Sequence, residues 1–285
     1  MLLGRTRSAP LLVYEDEMTE TALRFAFGKN WANFVDKYLS EERVQIAKEH
    51  LLRFLNLPNL GGKRMLDIGC GSGLHSLAAL RADVKELFSF DSDPHSVAAT
   101  RRLHDLSGCP RHWRVGQGSA LDKLYMENLG SFDVVYSWGV LHHTGDQWTA
   151  FRYAADRIAP GGVLYVALYT SDVFVDPPAE FWLEVKRRYN RCGWFGKRGI
   201  ETWYIGRQFL GMLCNGQNPV AYAYGYKRSR GMSYYTDVKD WVGGWPMEFS
   251  SVQQVKDFAY NELDLELINI KTGEANTEYL FQRAR

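Results

Sequence analysis

Neither sign of charge prevails in this chain, where 34 Lys and Arg stand against 33 Asp and Glu across 285 residues. That balance excludes the strong global field with which a protein draws in nucleic acid. Cysteine is scarce: Cys70, Cys109, Cys192 and Cys214 form no CxxC pair. Neither a disulfide framework nor a zinc site is therefore expected, and a reducing cytoplasm is the default. No apolar run reaches membrane-spanning length, and Met1 to Tyr14 has basic residues but no apolar core of a signal peptide. Repeats, low-complexity tracts and sustained blocks of one charge are missing too. What remains is a 46% hydrophobic composition, enough to bury one large domain with an added cap. A small-molecule substrate is expected, with no metal, nucleic acid or membrane as partner.

The run Met65-Leu-Asp-Ile-Gly-Cys-Gly-Ser-Gly73 carries the most information. Met65, Leu66 and Ile68 read as a short buried strand, and a helix-like stretch, Leu74 to Ala82, follows the glycines. Glycines in such a turn let the backbone bend tightly and approach a ligand, to which the helix N-terminus offers N–H donors. The spacing is G-x-G-x-G, whereas dinucleotide binders carry G-x-G-x-x-G. Asp67 lies inside the strand, where a carboxylate would repel a pyrophosphate but hold an ammonium group. A cationic amino-acid ligand is thus favoured over NAD. These residues resemble the first motif of class I S-adenosylmethionine (SAM)-dependent methyltransferases.

The following segments agree with that motif. Leu87 to Phe90 reads as a second strand ending at Asp91, where a ribose diol would donate two hydrogen bonds. Asp93 offers an N-cap and Pro94 a first helical position. Phe132 to Trp138 is another apolar strand, followed by Val140-Leu-His-His143. Trp148, Phe151, Ala154, Ala155 and Ile158 fall at helical spacing, with Pro160-Gly-Gly162 as the stop, and Val163 to Leu168 is a further buried strand. The alternation implies a doubly wound α/β fold with its ligand at the strand C-terminal ends. The resemblance implies a mostly parallel sheet of seven strands, with SAM as cofactor and S-adenosylhomocysteine as product. It places Asp67, Gly69, Gly71, Asp91, Ser92, Ser119, Ala120 and Ser137 at the cofactor. One position departs from the family pattern: Ser119 replaces the Asp that often bonds the adenine amino group.

The chain divides into an N-terminal helical arm (1–60), a cofactor-binding core (61–170), an insertion (171–250) and a closing helix with two antiparallel strands (251–285). Ser40 caps a helix whose stripe is Val44, Ala47, Leu51, Phe54 and Leu55. Upstream, Trp31 is a hydrophobic anchor or a face turned to the cofactor sulfonium. The insertion holds one helix around Phe181 to Tyr189, then a glycine- and aromatic-rich loop. Its location suits a lid over the substrate, or a homodimer surface. Ser250 and Gln253 make a capping box for the closing helix. Leu265 to Ile270 and Thr277 to Gln282 read as the last strands.

Methyl transfer is an in-line displacement, so the protein mainly aligns nucleophile and methyl group. A hydroxyl nucleophile gains from a base of near-neutral pKa, which makes His143 the candidate general base and puts His142 beside the cofactor. The plainer account has the two rings packing and bonding carbonyls. Arg230, Tyr234, Asp240, Trp241 and Glu248 are the candidate substrate residues, supplying apolar walls and a few orienting polar groups. Here the plainer account has Asp237 and Asp240 capping turns and Glu248 pairing with Arg230. The elements Arg-Gly-Met and Asp-Trp-x-Gly-Gly-x-Pro-x-Glu resemble a group of bacterial methyltransferases. The chain is therefore expected to be an O-methyltransferase of a small molecule or glycan precursor. An N-methyltransferase and a SAM-binding protein without turnover are the alternatives.

Overall fold

A computed structural model describes residues 39–230, 233–273 and 275–283 together with Val35, and for residues 227–230 and 236 the backbone alone. Trp31 lies outside the described residues.

Strand β1 (Arg64–Ile68) forms the middle of the sheet because its apolar side chains are buried on both faces. It pairs in parallel with β2 (Glu86–Asp91) and β4 (Phe132–Trp138). Outside these lie β3 (Trp113–Gln117) beyond β2 and β5 (Ile158–Tyr169) beyond β4. Strands β6 (Leu265–Thr272) and β7 (Asn276–Arg283) complete a seven-stranded sheet in the order β3-β2-β1-β4-β5-β7-β6. Strand β7 runs antiparallel to both of its neighbours, β5 and β6.

Helices cover both faces. On one, α1 (Glu41–Leu55), α2 (Leu74–Leu80) and α3 (Pro94–Leu106) pack Leu51, Phe54, Leu77 and Leu103 over Met65, Val134 and Tyr165. Ser40 caps α1 by accepting from the Arg43 N–H, and Asp93 caps α3 by accepting from the His95 N–H with Pro94 as its first residue. The other face carries α4 (Lys123–Glu127), α5 (Gln147–Ala155) and α10 (Val252–Leu263), which cover Leu66, Val135, Leu164 and Phe281.

Three local expectations change. Helix α5 ends at Ala155, and Ile158 instead begins β5, paired with Phe132. Pro160-Gly-Gly162 therefore bends the start of a strand, where the register shifts between Phe132 and Val134. The capping box lies one residue later, at Ser251 and Gln254, because Ser250 is held in a bridge to Thr170. The insertion is mostly helical: α6 (Ala179–Arg191), α7 (Trp194–Cys214), α8 (Pro219–Arg230) and α9 (Tyr234–Gly243). Both its ends meet at the C-terminal tip of β5, where the Ser171 N–H donates to Ser250 O at 3.1 Å.

Candidate active site

The glycine turn between β1 and α2 is fastened to β2, since the N–H groups of Gly69 and Cys70 both donate to Phe90 O, at 2.8 and 3.0 Å. Gly69, Gly71 and Gly73 have φ of 73°, 54° and 79°, the left-handed region that disfavours side chains. At Gly69 a Cβ would also stand 2.4 Å from Val140 Cγ1. The Gly71 N–H instead donates to Asp91 Oδ2 at 3.0 Å, while Asp91 Oδ1 accepts from the Asp93 N–H at 2.9 Å. Burial raises the Asp91 carboxyl above its ordinary value despite these two donors. A carboxylate offers about four acceptor sites, so capacity remains for a diol.

The Gly118 N–H donates to Asp91 O at 3.0 Å, which sets the Ser119 segment beside Asp91. Ser119 Oγ accepts from the Leu121 N–H at 3.2 Å, and Ala120 is buried behind it. Ser92 is exposed at the same rim. Ser137 has an interior position: it is wholly buried and donates to Ile68 O at 3.2 Å, tying β4 to β1.

Asp67 is turned into the interior as well. Ser76 Oγ donates to its Oδ2 at 2.5 Å, leaving Ser89 to donate to Ser76 at 2.7 Å and the Trp113 indole N–H to donate to Ser89 at 2.9 Å. With Asp67 ionised the proton count fixes that order, because a carboxylate only accepts and an indole only donates. Burial pushes the Asp67 carboxyl up to about 7, against the Ser76 bond.

After β4 the chain makes a short turn, Leu141–His143. His143 Nδ1 lies 2.8 Å from Pro246 O. A carbonyl can only accept, so this nitrogen carries the proton and the lone pair of the neutral ring sits on Nε2. Burial lowers the His143 pKa to about 4, away from the near-neutral value expected of a base. His142 is buried with neither ring nitrogen hydrogen-bonded among the described residues, and burial holds its pKa well below the ordinary value, helped by the His143 and Lys186 charges. Both rings lean on Tyr169, at 4.4 and 5.8 Å between centroids.

The insertion adds Trp241, whose ring meets Tyr169 edge-on at 5.6 Å and stacks on Phe174 at 5.7 Å. Asp240 precedes it on α9, a helix and not the loop read from the sequence. Tyr234 belongs to a different cluster, stacked on Phe209 and edge-on to Tyr226. Glu248 accepts from the Gln147 N–H at 2.9 Å, and its own N–H donates to His142 O at 2.8 Å. These two bonds fasten the end of the insertion to the His142 turn. The Arg230 backbone ends α8, and its side chain lies outside what is described.

Sequence reasoning passed over Lys186. The residue is 1% exposed, and its ammonium donates to Trp241 O and lies 4.1 Å from the Trp241 ring centroid. No carboxylate pairs with it among the described residues, and burial lowers its pKa to about 7. A signal was present: Trp182, Lys186 and Tyr189 fall at four- and three-residue steps, the apolar face of α6.

A family model described as a methyltransferase domain matches residues 38–209. Among curated proteins, the ubiquinone biosynthesis O-methyltransferase of Xanthomonas euvesicatoria is 38% identical over 111 residues, which is 38% of this chain and 44% of that protein. The chain thus matches less than half the length of that relative. Among solved structures, magnesium protoporphyrin IX methyltransferase from Synechocystis, with bound S-adenosylhomocysteine, superimposes with a TM-score of 0.54 at 10% identity, covering 94% of this chain and all of that one (100%). A putative SAM-dependent methyltransferase from Methanococcus maripaludis gives 0.51 at 14% identity, with 90% and 92% covered. At these identities the two structures establish a shared fold.

Proposed function

The chain belongs to the methyltransferase family whose domain model spans residues 38–209, and from that premise we propose that it methylates an oxygen of a small organic acceptor. It is a SAM-dependent enzyme, and the cofactor supplies an electrophilic methyl group on a sulfonium. The residues at the turn fit that cofactor. Asp91, at the rim of the glycines, would oppose a pyrophosphate, and the buried Asp67 would add to that field from beneath the turn when ionised. Asp91 would take the ribose diol with its remaining acceptor sites, and Ser119 and Ala120 would flank the adenine.

One observation carries the choice of an oxygen acceptor: the bond from His143 to Pro246 O, which leaves the lone pair on Nε2. Burial makes this imidazole a weak base. A weak base suffices, because a hydroxyl becomes strongly acidic as its oxygen gains a methyl group. The ring then needs to accept the proton only in the transition state. The name of the Xanthomonas relative, an O-methyltransferase, supports the same choice. Tyr169 and Trp241 provide aromatic walls suited to an acceptor with a flat or apolar body, with Asp240 on the adjoining helix. The four-helix insertion acts in this reading as the lid that selects the acceptor.

The test is His143→Ala, assayed for methyl transfer across a metabolite extract by mass shift and for SAM binding by calorimetry. Turnover falls by about a hundredfold with SAM affinity unchanged. An unaltered rate would reassign His143 to packing and favour a neutral amine as acceptor, which needs no base.

A further inference from the structure

Methyl transfer leaves unexplained the face that α7 and α8 turn to solvent. Phe195 is 84% exposed, Leu210 63%, Leu213 60% and Tyr224 86%. Phe195, Gly199, Thr202, Gly206, Leu210 and Leu213 recur at three- and four-residue steps, so they share one side of α7, and none is charged. Glu201 is the only acid of this helix and its only buried residue. It is spent on the hydroxyls of Tyr189 and Tyr235, at 2.7 and 2.6 Å, and on Arg198 at 2.9 Å. The usual helix pattern is inverted, with the carboxylate inside and the apolar side outside.

The surrounding charge is one-sided. Residues 179–230 contain ten Lys and Arg against three Glu, in a chain whose totals are 34 and 33, and six of the ten remain when the buried Lys186 and residues 227–230 are set aside. An apolar face rich in aromatics and set in a cationic segment suits the headgroup region of an anionic bilayer. Aromatic and aliphatic side chains enter the acyl boundary there, while Lys and Arg reach the lipid phosphates. No helix among the described residues is long and apolar enough to cross a membrane, so the contact is one of lying on the surface. A second copy of the chain is a poorer occupant, because a two-fold interface would bring two cation-rich segments together around the apolar faces.

We propose that α7 and the start of α8 seat the protein on an anionic lipid surface. The test sediments the full chain with phosphatidylcholine vesicles made with and without phosphatidylglycerol. The protein pellets with the anionic vesicles and stays in solution with the neutral ones. Combining Phe195→Ser, Leu210→Ser and Leu213→Ser weakens vesicle binding by roughly tenfold or more, with melting temperature and S-adenosylhomocysteine affinity unchanged. Wild-type protein left in the supernatant with anionic vesicles would overturn the proposal, as would equal binding by the triple variant. A dimer dispersed by the same substitutions, without vesicle binding, would assign the face to a second copy. Failure of wild-type protein to bind S-adenosylhomocysteine would count against the methyl-transfer reading alone.

Discussion

His143 donates its Nδ1–H to the main-chain oxygen of Pro246, 103 residues away in sequence, at 2.8 Å. Glu248 adds two bonds to the same junction, through its N–H to His142 O and its carboxylate from the Gln147 N–H. The turn after β4 and the tail of the insertion are therefore tied together by three hydrogen bonds. The orientation of the candidate base thus depends on the segment that follows Trp241, the aromatic wall of the proposed acceptor site.

Glu248→Ala removes an acceptor from the first turn of α5 and should cost about 1 kcal/mol of stability. Thermal melting checks this, with Glu248→Gln expected to recover part of the loss and SAM affinity to stay unchanged in both. A substrate residue would behave otherwise, with turnover lost and the melting temperature kept.

Asp67 should give an unusual pH signature. Its carboxyl is raised from 3.8 to about 7 in the native protein. Between those limits the native state keeps a proton that the unfolded chain has lost, so this group's contribution to stability falls as pH rises. Asp67→Asn cannot ionise. It should therefore melt higher than wild type above pH 7, by on the order of 3 kcal/mol, with the gap closing toward pH 4. A pH-independent gap would trace the effect to packing.

Lys186 gives the complementary case. Its ammonium is lowered from 10.5 to about 7, and across that interval the unfolded chain holds a proton that the native state lacks. Stability from this group therefore rises with pH through the interval. Lys186→Met, of similar shape and no charge, should raise the melting temperature most below pH 7, by about 1–4 kcal/mol, and progressively less toward pH 10. A variant less stable than wild type at every pH would mean that the bond to Trp241 O outweighs the cost of burial.

Gly69→Ala brings a Cβ to 2.4 Å from Val140 Cγ1 at a φ of 73°. A loss of about 2–3 kcal/mol is expected. Adding Val140→Ala should restore part of it, because the clash goes and the backbone strain stays. Chemical denaturation of both variants measures the two parts.

The core was legible in the sequence because its signals are local. Ser40, Asp93 and Pro94 mark helix starts by short-range bonds, and the run from Met65 to Ile68 is too apolar to lie anywhere but mid-sheet. The capping box was misplaced by one residue because Ser250–Gln253 and Ser251–Gln254 have identical spacing, and a distant contact with Thr170 decides between them. Helix α7 was hidden by glycines at 196, 199, 206 and 211 and by its inverted polarity. The hydrogen bonds of Glu248 and Ser137 were not legible, because their partners are main-chain groups 101 and 69 residues away. Side-chain type says nothing about bonds of that kind. The position of Asp91 at the end of β2 was legible, because a strand end followed at once by a helix cap leaves a carboxylate little choice of place.

The most direct measurement is calorimetric titration of S-adenosylhomocysteine into the wild-type chain and into Asp91→Ala. The Asp91 carboxylate, held at the rim of the turn by Gly71 and Asp93, should contribute about 2 kcal/mol through its bonds to the ribose. Wild-type protein should therefore bind the ligand and the variant should bind it roughly thirtyfold more weakly. Equal affinity in the two proteins, or binding of NAD in preference to S-adenosylhomocysteine, would contradict the assignment of this site.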